Sequence, residues 1–543
     1  MAALIPLRTS KVNRILIPEE MNVELTETEE KICELLDQCT EHLRKTKGIH
    51  TECRIAGGWV RDKLLGSQSN DIDVALTDIM GYAFAEHLAE FAQAEGMTVG
   101  SIGKIAQNPD QSKHLETATF RILDRDIDLV NLRSEEYASA SRIPTGVGLD
   151  DLKNAVVRTP LSPKETFIDD PLRVLRCIRF ASRFGFDIVP EIVAAVQDPE
   201  IKEALVSKVA RERAGEELSK MVKGRDPLRS IQLITSLGLY SSIFSGFPPN
   251  VIETFSDNPR SEATALKAAS ILQTLLANVG TDLPPLHPTF FKVLESDVTC
   301  KPRLFLAAVL SPYAGIIYRD HKGKELPVVE YVIRECLKLG SQNHFLDGIP
   351  ALFSACNVLR NPDPSDQRLK TPSERAAVGL LLREKSVHNV HTGSHWTSSL
   401  LFSLVQELVS FCNDVEQGLT GEYSPHAMCL TCAYHRGAAE DAIKTIRLYN
   451  TFIQRVEELG LFETVDAKPL LDGREVSSAL DARPGPWTGA VLAKVVVWQL
   501  ENPQGTKDDC LTWLKGEREQ GNIEVANNRP PDSKPVKKAR TRK

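Results

Sequence analysis

No run of eighteen apolar residues occurs in the 543-residue chain, so no segment reads as a membrane span. No repeat of fixed period is evident either, which sets repeat architectures aside. Cysteine is thinly spread, with 11 residues scattered along the sequence, and no secretory signal is expected ahead of them. That usage argues for free thiols in a reducing compartment. Acid is missing from both ends. Arg8, Lys11 and Arg14 precede the first carboxylate, Glu19, a pattern shared by a weak mitochondrial presequence and a frayed arm; the arm is the simpler reading. The stretch from Lys534 to Lys543 is basic and acid-free, suited to a nuclear address or a nucleic-acid contact and expected to be disordered. Positive charge does not dominate overall. The formal net charge is −8, so a nucleic acid must be held by local patches rather than global attraction.

With 42% hydrophobic and 25% charged residues, the chain reads as soluble and globular, and its length predicts two to four domains. Residues 28–47 have a helical stripe at Ile32, Leu35, Leu36 and Leu43. Strand signals follow at Cys53–Ala56 and Ile72–Leu76, a helix at Gly81–Glu95, then strands at Ala118–Leu123 and Ile127–Leu132. This alternation predicts a small α/β domain through residue 135. From about 150 the period is almost wholly helical, clearest at Asp169–Arg183, Ile201–Val222, Pro227–Leu237, Arg260–Ala277 and Ser398–Val415. Proline-rich breaks at 283–288 and 361–372 read as loops. The whole is therefore an α+β protein, a small mixed-sheet N-terminal part followed by helices.

The richest stretch is Arg54-Ile-Ala-Gly-Gly-Trp-Val-Arg-Asp-Lys-Leu-Leu-Gly, followed by Asp71-Ile-Asp73-Val-Ala-Leu. Residues i and i+2 of a strand share a face, so Asp71 and Asp73 can reach one pair of divalent cations. Gly57 and Gly58 remove side chains where backbone must approach phosphate, and the run from Trp59 reads as a helix start facing it. Acidic metal ligands beside a phosphate cradle are what nucleotidyl transfer requires. The bland alternative is a glycine turn next to an acidic strand edge. A second constellation is Asp169-Asp170-Pro-Leu-Arg173-Val-Leu-Arg176-Cys-Ile-Arg179-Phe-Ala-Ser-Arg183. Pro171 suits a first helical turn and an aspartate before it suits the cap. At helical pitch the four arginines fall within an arc of about 120°, while Leu172, Leu175, Ile178 and Phe180 occupy other faces. Such a row attracts phosphates or carboxylates; an internal salt-bridge ladder is the competing explanation.

Together, Gly57-Gly58-x-x-Arg61-Asp62, Asp71-x-Asp73 and Asp169-Asp170-x-x-Arg173 resemble the class II tRNA nucleotidyltransferases, the CCA-adding enzymes of the polymerase β superfamily. Further segments resemble the fungal branch: Glu116–Arg121, Asp128–Arg133, Leu161–Phe184, Ala210–Glu217, the run from Lys468, and Pro484-Gly-Pro-Trp487. The likeness covers most of the chain. It implies a nucleotidyltransferase head at 1–148, a neck with a nucleotide-selecting helix at 149–230, a helical body at 231–460, an RNA-contacting tail at 461–520 and a disordered basic end at 521–543. It further implies that Asp71 and Asp73 hold Mg2+, with Glu116 or Asp128 as a third acid, and that Gly58 and Arg61 contact the incoming triphosphate. Asp170 and Arg173 would pair with the base edge of CTP or ATP, Arg176 and Arg179 would help orient it, and Arg211–Glu217 would brace that helix. The implied substrate is the 3′ end of tRNA, with no membrane and no obligate protein partner, in the cytoplasm with mitochondrial and nuclear pools.

One departure matters. The family places an Arg-Arg-Asp motif between the strand ending near Arg133 and the segment here reading Leu149-Asp-Asp-Leu-Lys-Asn. In this chain Ser141–Gly148 runs straight into Leu149, and no Arg-Arg-Asp occurs. A splice variant or faulty gene model explains this better than an altered relative, because every flanking segment still matches. Three rival functions remain: a poly(A) polymerase with the same motifs, a catalytically impaired RNA-binding relative, and, least favoured, a nucleotide hydrolase. Weaker signals are His426, Cys429, Cys432 and His435, which are too spread along a helix to surround one zinc ion. Trp487, Trp498 and Trp513 stand among basic residues, with helix core the better account of the last two. His87, His114 and His391 have no partner spacing for general-base work.

Overall fold

Thr26 and Glu29 close a reciprocal capping box, and from it α1 (Glu27–Lys47) runs to a left-handed Gly48. Its stripe of Ile32, Leu35, Leu36 and Leu43 is buried. The computed structural model describes residues 14–105, 117–131, 147–277, 283–411 and 436–523. Next come β1 (Cys53–Ala56), α2 (Gly57–Leu64), β2 (Asp71–Leu76) and α3 (Gly81–Ala94). Three strands follow: β3 (Gly103–Ile105), β4 (Thr117–Ile122) and β5 (Arg125–Asn131). The sheet order is β1-β2-β5-β4-β3. Among the described strands of this sheet β2 and β5 pair in parallel and the other pairs are antiparallel, so the sheet is mixed. Trp59, Phe84, Phe120, Ile127 and Leu129 join the α1 stripe in one core that sandwiches the helices on the sheet.

The observed strands match the anticipated ones within two residues, but β3 was not anticipated; three residues are too few to show alternation. Beyond it lie α4 (Val147–Lys153), β6 (Val156–Val157), α5 (Pro163–Asp169), α6 (Leu172–Phe184) and β7 (Asp187–Ile188). The helix expected over Asp169–Arg183 starts later. Pro171 disfavours helical backbone at Asp170, which sits at φ −133°, ψ 95°, and separates α5 from α6. Next are α7 (Pro190–Val196), α8 (Pro199–Ser207), α9 (Arg211–Val222) and α10 (Pro227–Ser236). The single helix read over Ile201–Val222 is therefore two. The apolar period runs through the break because Val209, in the connecting turn, is also buried. Among the described residues helix dominates after residue 150, but two short strand pairs interrupt it there: β6 with β7, and Ile317–Arg319 with Glu325–Pro327.

The chain divides into two compact units, the first holding residues 14–258 and 317–340 among those described. Within it α9 lies against the segment at Leu337 so closely that a Cβ on Gly215 would overlap the Leu337 carbonyl oxygen. The second unit is helical, with long helices at Ala263–Ala277, Phe345–Leu359, Trp396–Ser410 and Arg436–Glu458. Its last part has a core of its own, in which Leu471, Val476, Val495, Cys510 and Leu514 are buried. Trp498 and Trp513 stack at 5.9 Å between ring centres against that core, as helix-core residues do. His114 and the His426–His435 cluster lie outside the described residues.

Candidate active site

Antiparallel pairing sets Ala56, the last residue of β1, opposite Asp73 of β2. The chain must then turn into α2 directly beside that carboxylate. Gly57 makes the turn at φ +70°, and a Cβ there would overlap Asp73 Oδ2 and stand 3.0 Å from Cγ. Both conformation and space therefore demand glycine. The next residue, Gly58, donates its backbone N–H to the Asp73 carboxylate. Asp71 is exposed and Asp73 half-buried on the same strand face.

Parallel register brings Asp126 opposite Asp71 and Asp128 opposite Asp73. Asp128 accepts a 2.7 Å hydrogen bond from Thr119 Oγ1. Of the two candidates for a third acid, Asp128 thus joins the pair, while Glu116 lies outside the described residues. Burial raises the Asp73 carboxyl above its ordinary range. Asp128 and Asp71 push the same way, against the Gly58 N–H and the Arg61 guanidinium. Among the described residues no three His, Cys, Asp or Glu side chains converge tightly enough to form a ready metal cage. The donor set still suits a hard cation: oxygen ligands with excess like charge and one backbone N–H to offset it.

Arg61 leads from this cluster to α6. Its Nε and Nη2 donate to Asp62 Oδ1 at 2.9 and 2.8 Å. Its guanidinium also covers the rings of Phe180 and Phe184, 5.2 and 5.0 Å from their centres. Asp62 is buried, and its other oxygen accepts from Arg183 Nη2 at 3.1 Å. Sequence reasoning included Asp62 in a motif but gave it no role. Phe180, a packing residue by its helical position, is a half-buried platform that Arg179 also covers, at 4.3 Å.

At the other end of α6 Asp170 is buried and accepts from the Leu172 backbone at 3.2 Å and from Arg213 Nη2 at 3.3 Å. It caps the helix, as anticipated, although Pro171 is the cap residue. Arg173 pairs with Asp169 at 2.9 Å and donates Nη1 to the Thr166 carbonyl at 3.4 Å, so these contacts leave Nε and Nη2 for a ligand. Arg179 pairs with Glu217 of α9 at 2.5 Å. The expected brace is therefore present, since Glu217 of α9 holds Arg179 of α6 and Arg213 of α9 holds Asp170, just ahead of that helix. Arg176 is exposed. Three of the four arginines thus meet carboxylates inside the protein, two of them from α2 and α9. The ladder and the phosphate-seeking row coexist on one helix.

Behind α2 a pair that sequence reasoning missed holds the cradle in place. Lys63 Nζ donates to Glu29 Oε2 at 2.7 Å, and Trp59 Nε1 donates to Oε1 at 2.9 Å. Both charged residues are buried. Burial alone would raise the Glu29 carboxyl, but Lys63, Thr26 and Trp59 bring it down to about 2. His87 lies 3.1 Å from Lys47 Nζ, away from these groups.

Residues 53–158 match the family described as the poly A polymerase head domain, and 185–250 match one described as the probable RNA and SrmB-binding site of polymerase A. The "CCA tRNA nucleotidyltransferase, mitochondrial" of Candida glabrata is 31% identical over 549 positions, covering 91% of this chain and 96% of that protein. Its namesake from Saccharomyces cerevisiae is also 31% identical, covering 91% and 93%. Because 549 positions exceed the 543 residues here, residues of the Candida protein stand opposite gaps in this chain. Among solved structures, the Bacillus stearothermophilus CCA-adding enzyme in complex with CTP shares the fold at TM-score 0.52 and 14% identity, covering 92% of this chain and 99% of that one.

Proposed function

The chain belongs to the tRNA nucleotidyltransferase family, and from that premise we propose that it adds CCA to the 3′ end of tRNA from CTP and ATP without a nucleic-acid template. The observation that carries the site assignment is Asp73, seated between the Gly57-Gly58 turn and Asp128 with Asp71 on the same face. Asp71 and Asp73, with Asp128 beside them, would hold Mg2+, which when bound supplies activation of the RNA 3′-hydroxyl and neutralisation of the pyrophosphate leaving group. The protein contributes placement. Gly58 and Arg61 receive the triphosphate at the start of α2, where backbone N–H groups point outward. Asp170 and Arg173 read the base edge, and Arg213 and Asp169 fix those two side chains in direction beforehand. Arg176 and Arg179 complete the cationic face. Head, neck, body and tail would divide the chain at 148, 230, 460 and 520, with a mitochondrial pool supported by the names of both yeast relatives.

The test is incubation of this polypeptide with tRNA lacking its 3′ end, CTP and ATP, followed by sequencing of the product. CCA ends lost in Asp71→Ala support the proposal, and oligo(A) tails would make it a poly(A) polymerase instead. A second reading, an RNA-binding relative without catalysis, is favoured by the absent Arg-Arg-Asp motif. A version with that segment restored decides between them: incorporation gained on restoration supports a lost segment, and none gained supports the binding relative.

A further inference from the structure

Away from the carboxylates, the C-terminal ends of α6 and α9 and the end of α2 enclose a cavity of about 550 Å3. Arg179, Arg183, Lys220, Lys223 and Arg225 line it, with no Asp or Glu among the lining residues. Carboxylates stand close behind three of them: Glu217, 2.5 Å from Arg179 and 3.5 Å from Lys220, and Asp62, 3.1 Å from Arg183. The charged side chains that line the wall itself are therefore all cationic. Leu65 and Phe184 give it an apolar floor. Arg179 lines it, but Gly57, Asp73 and Asp170 do not, so the cavity adjoins the proposed nucleotide site without containing its carboxylates or its base-reading aspartate.

We propose that this cavity holds a nucleotide unit of the RNA chain, its backbone phosphate taken by Lys220, Lys223 and Arg225. The proposal rests on the reading that the substrate is RNA. Ammonium and guanidinium groups around a cleft recognise phosphate without regard to base. The volume falls in the range of sites that bury a nucleotide-sized ligand, about 300–1,000 Å3, and a lone phosphate would leave most of it empty. The apolar floor suits a ribose or base attached to that phosphate. A chain of net charge −8 also needs such a local concentration of cations to hold a polyanion. Finally, the three residues lie within 185–250, the segment matching a probable RNA-binding family.

Lys220, Lys223 and Arg225 are exposed, so replacing them removes charge without opening the core. The experiment measures equilibrium binding of the full chain to tRNA lacking its 3′ end between 50 and 200 mM salt, roughly the range over which phosphate contacts show. It needs no nucleotide or metal, so it is independent of whether Asp71 and Asp73 carry the chemistry. The triple variant K220A/K223A/R225A should bind about ten-fold or more weakly at low salt. Its plot of log affinity against log salt should be shallower by roughly one unit, as expected for the loss of one neutralised phosphate, and K220R/K223R/R225K should restore both. Unchanged affinity and slope overturn the proposal. So does loss of binding to inorganic phosphate or AMP with tRNA affinity intact, which would make the occupant a free phosphorylated molecule. Failure of the unaltered chain to bind tRNA at all would instead sink the RNA reading beneath it.

Discussion

Gly57 and Asp73 stand so close that no side chain fits between them. A Cβ on Gly57 would overlap the carboxylate, and the backbone at φ +70° already disfavours any L-residue. Gly57→Ala should therefore displace the carboxylate or unwind the start of α2, where Gly58 donates to the same group. The conformational part alone costs about 1–2 kcal/mol. The larger effect is on turnover, because a shift of about 1 Å in the carboxylate proposed to hold the metal costs on the order of 10²-fold. CTP incorporation into tRNA, beside a thermal melt, reads both; wild-type turnover in a folded Gly57→Ala protein contradicts the role given to this turn.

Asp73 predicts a trade between stability and function. Its folded pKa is raised by burial, Asp128 and Asp71, so the ionised carboxylate costs stability at pH values above the unfolded pKa. Asp73→Asn should then melt at or above the wild-type temperature at pH 7 in chelator, while incorporating no nucleotide. Magnesium should raise the melting temperature of the wild type more than that of Asp73→Asn, because only the former offers both strand carboxylates. A melting shift by magnesium equal in the two proteins would place the ion elsewhere.

Asp62 joins two guanidinium groups, taking Arg61 on one oxygen and Arg183 on the other. Asp62→Asn keeps the shape but not the charge. Arg61 would then lose its charged partner beside the Phe180 and Phe184 rings, which costs about 1–3 kcal/mol; the Arg183 contact, 45% exposed on the arginine side, contributes less. The expected phenotype is a several-fold rise in KM for CTP and ATP, with tRNA affinity at low salt retained. A KM equal to that of the wild type would show that Arg61 needs no carboxylate to stay in register.

How much of this was legible depends on how local each signal is. The Asp71–Asp73 face, the glycine turn and the α1 stripe follow from strand and helix periods, so they could be read directly. That Asp128 stands beside them could not, because the parallel pairing of β2 with β5 joins residues 55 apart in number, Asp73 to Asp128. A trace was nevertheless present: Asp126-Ile-Asp128 repeats the Asp71-Ile-Asp73 pattern. Helical pitch placed four arginines on one arc but could not show that Glu217 and Asp62 supply their counter-charges, since both come from other helices. The Glu29–Lys63 pair was hidden for the same reason. Each residue alone looks like a solvated helix charge, and only the packing of α1 on α2 reveals a buried contact.

That pair gives the last prediction. Glu29 accepts from Thr26, Trp59 and Lys63, and Lys63 also reaches the Glu24 carbonyl at 2.9 Å and Gln68 at 2.7 Å. The arrangement ties α1 to the helix that begins at the Gly57-Gly58 turn. Lys63→Met leaves a buried carboxylate unpaired and should cost about 3–5 kcal/mol, whereas Glu29→Gln keeps the shape and several acceptors and should cost less. Sign follows from linkage. The folded pKa of Glu29, about 2, lies below its ordinary 4.5, so its contribution is complete above about pH 4.5 and is lost as pH falls towards 2. The stability gap between the wild type and Glu29→Gln, measured by urea unfolding, should therefore be constant from neutral pH down to about 5. It should then narrow steadily in acid while the conformation still folds. A gap that stays constant through pH 3 would mean that Glu29 is not ionised against Lys63 and that α2 is held by packing alone.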